Sequence, residues 1–520
     1  MKSETIKSYL FKDYVEGDNE LAKLNGFENT DYYPASVTES YSLVLFIGHE
    51  DGIKYLFAAA DAGDKDALKK FEGEIIDSKN RGKNAVIKRC PLSHHNSLAI
   101  QEMFPFTRAV PMGLNDSFGF GDRLGLANAG HIRALRGYKF RPVFAQQSIR
   151  ELTRTNRTPG EVMDAAVWAV FQEGFKEGFG ADADHLKTSG DIDRLINAGF
   201  KTFTFDPSDY VVNGVDALSK DEVLERIEAL PWNELNDRSD SLLKRYKDQK
   251  LKVDDTFVIE ASELEVLYAV LKYGKALANI KNLFEYMRAK YPDTDYEIEV
   301  SIDETDTVTS PFEHFFIVNE LTRLGVKFIS LAPRFIGDFE KGIDYKGDLD
   351  VFKREYEKHA KIASHFGFYK ISLHSGSDKF GAYRVIGSLN LCKTHVKTAG
   401  TSYLEALKVV AAKDPALFRQ ILDFAAGLYE DEKKTYHVSA DLKRIKPAKE
   451  YKDAELEGLF NSNDVRQVLH VTYGRVLTEK DTEGKYLFRE RIYKCLNANE
   501  DLHYKFLIAH FRKHLDPFKN

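Results

Sequence analysis

Between residues 107 and 402, eight short apolar runs that end in polar residues alternate with longer helical stretches. The runs fall at 107–114, 141–148, 178–185, 201–207, 296–305, 326–333, 368–378 and 394–402. The stretches between them include residues 158–178, 189–199, a long segment from about 216 to 290, 310–325 and 349–367. Several open on Ser, Thr or Asp and close on Gly, as helix caps do. Strands that alternate with helices pair in parallel, and eight of them close a (β/α)8 barrel. An open doubly wound sheet competes with this reading, but no GxGxxG motif follows an early strand. GFGDRLG at 119–125 is only a partial echo of one.

The chain therefore reads as α/β, with a TIM-like (β/α)8 barrel over 106–440. An N-terminal α/β region over 1–105 precedes it, and a C-terminal helical cap over 441–520 follows. In the N-terminal region, the runs 42–50 and 53–60 flank an Asp51-Gly52 pair and predict a hairpin. Hydrophobic residues make up 43% of the chain, enough for a large core. The net charge is −7 and no dense Lys/Arg run occurs, which argues against nucleic acid as a partner. Cys90, Cys392 and Cys495 show no paired spacing, so neither a disulfide framework nor a zinc ribbon is expected. No stretch has the ~18 apolar residues of a membrane span, and the first residues lack a signal-peptide core. A soluble cytoplasmic protein with no membrane partner is expected. A barrel of this size also admits self-association.

In such a barrel, catalytic groups come from the C-terminal ends of the strands. Polar side chains gather there: Asp116 and Asp122; Gln146, Gln147 and Arg150; Asp182, Asp184 and His185; Asp206; Glu299, Asp303 and Glu304; Arg334; His374, Ser375 and Asp378; His395, Lys397, Thr398 and Thr401. A single Asp at a strand end is most often a turn acceptor or helix cap, and that reading serves Asp116 and Asp206 taken alone. Asp184-His185 and His374, which is followed by small residues, are better functional candidates. Lys397 suits a carboxylate, a phosphate or a structural acid pair. Glu340, after the sixth run, suits a ligand or a solvated loop. His314 has apolar neighbours and reads as structural, while His94, His95 and His131 lie outside the pattern. Imidazoles from separate strands plus a carboxylate suit a divalent transition metal, such as Zn, Mn, Ni or Co, with an open position.

The motifs PMGLNDSFGFGDRLG, PVFAQQSIREL, GADADHLK, TFTFDPSDY, IEVSIDET, APRFIGDFEKG, SLHSGSDKF and HVKTAGTSYLEAL resemble the tagaturonate/fructuronate epimerase family. The resemblance covers most of residues 85–410. It implies a metal-dependent barrel that interconverts D-tagaturonate and D-fructuronate in hexuronate catabolism, some members also acting on tagatose and fructose. Asp184-His185 and LHSGS are more loosely similar to elements of class II metal-dependent aldolases. By that similarity His185 and His374 are the metal ligands; Glu340 is the choice for the third, with His395 behind it.

The two uronates differ at a hydroxyl carbon β to the ketone, where the C–H is not acidic. Retro-aldol cleavage and re-addition then fits better than transient oxidation, because no nicotinamide fingerprint is present. Asp184, Glu299 and Asp122 are the candidate acid–base groups. Gln146, Gln147, Arg150, Asp206, Arg334, Ser375, Lys397 and Thr398 are candidates for holding the sugar or sugar acid. A class II aldolase, a ketose–aldose isomerase and a non-enzymatic carbohydrate-binding barrel are the alternatives.

Overall fold

The computed structural model describes residues 2–11, 20–76 and 85–519. Its centre is a closed, all-parallel eight-stranded barrel. The strands are β1 (Ser117–Phe120), β2 (Arg141–Ser148), β3 (Gly180–Leu186), β4 (Thr202–Phe205), β5 (Glu297–Ile302), β6 (Ser330–Pro333), β7 (Lys370–Leu373) and β8 (Thr394–Thr398). They pair in chain order, and β8 closes on β1 with His395 beside Ser117 and Lys397 beside Gly119. The connecting helices begin where the sequence offers caps. Ser148 with Glu151, Thr158 with Glu161 and Ser310 with Glu313 all form capping boxes. Helix Leu349–Phe366 opens on Asp348 and stops at Gly367, which is left-handed at φ 73°.

The first barrel strand is not at 107–114 as expected. That segment passes beneath the barrel, where Met112 and Gly113 donate their backbone N–H groups to Glu297 and Lys370 donates to the Gly113 carbonyl. The true strand, SFGF, is harder to see because its inward residues, Ser117 and Gly119, are small. Its aromatic residues face outward: Phe118 and Phe120 pack on Phe511 of helix Glu500–Leu515. The C-terminal chain thus completes the barrel's outer layer there. Helix Asn463–Val471 instead carries Arg466, Gln467 and His470 over the mouth. The long segment before β5 is not helical throughout; a small hairpin, Lys250–Lys252 with Val258–Glu260, interrupts it before helix Glu263–Lys290.

The N-terminal sheet is antiparallel. Its central hairpin pairs Leu43–Glu50 with Ile53–Asp61, and Asp51 and Gly52 at the turn both have positive φ. Alternation along Leu43–Glu50 sends Leu43, Leu45 and Ile47 into the barrel-side core, and Val44 and Phe46 towards helix Lys2–Leu10. Among the described residues no helix is long and apolar enough to cross a membrane.

Candidate active site at the mouth of the barrel

The period of two along a strand decides which polar residues enter the barrel. On β3, Asp182 and Asp184 point inward, level with Gln146 and Ser148 of β2. Their partner is Lys397 of β8. Its ammonium lies 2.7 Å from Asp182 Oδ2, Asp184 Oδ1 and Glu299 Oε1, and donates to Thr204 Oγ1 at 2.7 Å. All three carboxylates and the lysine are buried. One ammonium cannot neutralise three acids. Burial raises the Asp182 carboxyl above its ordinary range despite Lys397. Burial also pushes Asp184 and Glu299 up, but Lys397 and the nearby histidines pull both well below it.

Two imidazoles lie above this cluster, with ring centroids 5.1 Å apart. His374 Nε2 pairs with Glu299 Oε1 at 2.6 Å, while Nδ1 lies 3.0 Å from Asp303 Oδ1 without hydrogen-bond alignment. His185 Nδ1 meets Asp206 Oδ2 at 3.3 Å, and Nε2 is 3.9 Å from Asp184 Oδ1. Burial alone would lower both histidine pKa values. Asp184 and Asp206 instead raise His185 to about 9, and Asp303 and Glu299 raise His374 to about 10. His185 and Ser375 both adopt positive φ, at 54° and 51°. Non-glycine residues held there cost energy, and such strain clusters at functional sites.

Asp184, His185 and His374 each offer a donor atom, and those atoms lie within 4.8 Å of one another. The set fits a divalent transition ion. His374 Nδ1 is buried without a hydrogen bond. Asp206 on His185 and Glu299 on His374 are the outer carboxylates that orient ligating imidazoles. The excess of acids that protonates both rings would equally favour a cation in place of those protons.

Glu340, the expected third ligand, is not brought to this set. Lys346 and Gln467 donate to its carboxylate, as does the Ser439 hydroxyl, and it groups instead with Asp338 and His437. Asp184 is the third member of the set. His395 sits deeper, its Nδ1 2.9 Å from Ser117 Oγ, and burial keeps it neutral with a pKa of about 3. Asp122, expected as an acid–base group, is engaged by its own loop: both its oxygens accept backbone N–H groups, from Leu124, Gly125 and Ala127.

Two adjoining cavities, of ≈ 220 and ≈ 60 Å³, open on this cluster and share Arg150, Asp303, Glu304, Lys341, His374 and Ser375. Asp184, His185 and Gln146 line the inner one, Arg334 the outer. Gln146 fits because β1 has Gly119 opposite; a Cβ there would lie 1.8 Å from Gln146 Oε1, an oxygen buried without a partner. Four expected sugar contacts are placed otherwise. Gln147 stands level with Ala183, on the opposite strand face from Gln146. Thr398 donates its hydroxyl to the Gly119 carbonyl. Asp206 is taken up by His185 and the Ser208 N–H. Lys397 lines the inner cavity, but the three carboxylates around its ammonium would repel a fourth.

Asp303 stands just past a strand end, where its sequence resembles many turn acids. Lys341 follows Glu340 in a loop whose sequence does not mark it off from its neighbours. Tyr436 and His470, which also line the cavities, come from beyond β8 and carry no motif.

Fold and site together define a (β/α)8-barrel enzyme that gathers buried carboxylates and imidazoles at its strand ends. The sequence profile of the tagaturonate epimerase family (UxaE) matches residues 33–518. The chain belongs to that family. It is 44% identical over 484 residues to the tagaturonate/fructuronate epimerase of Thermotoga maritima, covering 93% of this chain and 96% of that protein. The native crystal structure of fructuronate-tagaturonate epimerase UxaE from Cohnella laeviribosi aligns with a TM-score of 0.87 at 38% identity, over 94% of this chain and 97% of that one. A glycerol complex of the Cohnella enzyme gives 0.86 at 39%, over 94% and 96%.

Proposed function

We propose that the protein interconverts D-tagaturonate and D-fructuronate by inverting the hydroxyl carbon β to the ketone. D-tagatose and D-fructose carry the same reacting carbons and are secondary substrates. Family membership supports the reaction. The observation that carries the chemistry is the convergence of Asp184, His185 and His374 at the wall of a closed-in cavity.

Retro-aldol cleavage needs a base for the β-hydroxyl proton and a stabiliser for the negative charge left on the ketone fragment. A divalent ion held by Asp184, His185 and His374 would supply Lewis acidity at the ketone and neighbouring hydroxyl oxygens. Among the acids, Asp182 and Glu299 are covered and line neither cavity, and Asp206 is engaged with His185. Asp303 faces both cavities beside His374 and accepts from Ser301 Oγ at 2.6 Å. It takes the hydroxyl proton as the bond between the α and β carbons breaks. The aldehyde turns its other face, the bond re-forms, and Asp303 returns the proton. Gln146, with its unpartnered amide oxygen, accepts from a sugar hydroxyl. Retention of the two fragments in this recessed cleft is what separates an epimerase from an aldolase.

The test is incubation of chelator-treated protein with fructuronate, with and without Mn²⁺, Ni²⁺, Co²⁺ or Zn²⁺. Tagaturonate should form only with a cation, and added NAD should change nothing. Full turnover after chelation would remove the metal from the scheme. Free three-carbon products would point to an aldolase, and an aldose product to a ketose–aldose isomerase.

A further inference from the structure

The loop after β6 is held rigid on both sides of one lysine. Lys379 donates to the carbonyls of Glu340 and Ile343, and Arg466 donates to that of Gly342. The Glu340 side chain is fixed by Lys346, Ser439 and Gln467. Lys341 lines both cavities, and its Nζ donates to Ser375 Oγ at 2.7 Å, one residue from His374. Among the described residues it has no carboxylate at ion-pair distance. Burial, then the charge of Arg150, pulls its pKa below that of a free lysine. Arg150 lines the same two cavities, with its guanidinium 5.4 Å from the Tyr436 ring centre and 3.6 Å from Glu304. Arg334 lines the outer cavity and likewise forms no ion pair among the described residues.

Lys341 and Arg150 share the cleft with Asp303 and Glu304, whose charges act on Lys341 only from beyond ion-pair distance, so its ammonium is left to pair with an incoming anion. We propose that Lys341, with Arg150, seats the carboxylate of the sugar acid and sets the preference for hexuronates over neutral ketohexoses. The inference rests on the epimerase reading for its substrate. The position suits the chemistry, because Lys341 and Arg150 line both cavities together with His374 and Asp303. A substrate whose reacting carbons lie at the histidines thus extends its acid end to Lys341. The anchored loop means that the lysine is already ordered before substrate arrives, so little freedom is lost on binding.

The experiment uses the metal-loaded, full-length protein. Lys341→Met should raise KM for fructuronate about 30-fold, the effect of losing one charge-assisted hydrogen bond, with a much smaller change in kcat. Lys341→Arg should recover most of the loss. A KM for Lys341→Met within threefold of the parent value would overturn the assignment. So would an equal loss of kcat/KM on fructuronate and on fructose. Calorimetry reads the subsite without turnover. The parent protein should bind D-gluconate at least about 30-fold more tightly than neutral D-glucitol, and Lys341→Met should abolish that preference. Equal binding of the two by the parent protein overturns the subsite. Charge-dependent binding that Lys341→Met removes, in a protein that does not turn over fructuronate, would leave the subsite standing and overturn the proposed reaction.

Discussion

Replacing Lys397 with Met removes the ammonium that sits among three buried carboxylates. At 2.7 Å from each of Asp182, Asp184 and Glu299, each contact is worth about 6 kcal/mol of attraction at an effective dielectric of 20, before desolvation is subtracted. What is lost on truncation is smaller, because the stranded acids relax by taking up a proton. Asp182 does so first, since its carboxyl is already raised. The expected net cost is about 3–5 kcal/mol, as for other buried charges that lose a partner. In chelator-treated protein this should appear as a fall of roughly 3–5 °C in melting temperature. Asp182→Asn placed on Lys397→Met removes one stranded charge and should recover at least about 1 kcal/mol, whereas Asp182→Asn alone should destabilise. A single variant within about 1 kcal/mol of the parent, or effects that simply add, would show that the cluster is not held together by this lysine.

His185→Ala and His374→Ala should each abolish both cation binding, measured by elemental analysis, and turnover. Glu340→Gln should keep the cation and lower thermal stability instead; loss of the cation from it would restore Glu340 as a ligand. Asp303→Asn should lower kcat by about 10²–10⁴ with cation content unchanged, and a rate within tenfold of the parent would rule it out as the base. His131, His314, His359, His395, His470, His503 and His514 are held neutral by burial, with His359 and His503 at about 4 and His395 and His514 at about 3. The unfolded chain protonates these below pH about 6.5 and the folded chain does not. Stability is therefore full above that pH and falls with acid, by up to about 2 kcal/mol per histidine at pH 5. His185 and His374 act in the opposite sense in metal-free protein. Their stabilisation is present below pH about 6.5 and is lost as pH rises towards 9 and 10. A melting temperature that stays flat from pH 7 to pH 4.5 would contradict the assignment of neutral histidines.

Seven of the eight barrel strands are legible because their signals are local: apolar residues, a polar exit, then a capped helix. The first is not, because its inward face is Ser117 and Gly119 and its aromatic face is covered by a helix nearly 400 residues later. Asp122 and Asp184 are the same residue type at similar positions. Only the fold of the loop, which turns three N–H groups back onto Asp122, tells them apart. Glu340 and Lys341 are neighbours, and the anchors that turn one outward and the other inward come from Lys379, Ser439, Arg466 and Gln467.

The sequence alone determined the barrel and the gathering of polar groups at its strand ends, with Asp184, His185 and His374 among them. Hydrophobic period, caps and residue type are properties of a few adjacent residues. Tertiary structure decided which polar groups meet. Lys397 reaches Asp182 only when β8 closes on β1 and the strands settle in register, and a slip of one residue would turn either side chain out of the barrel. Contacts of that kind depend on closure over hundreds of residues, and no local pattern encodes them.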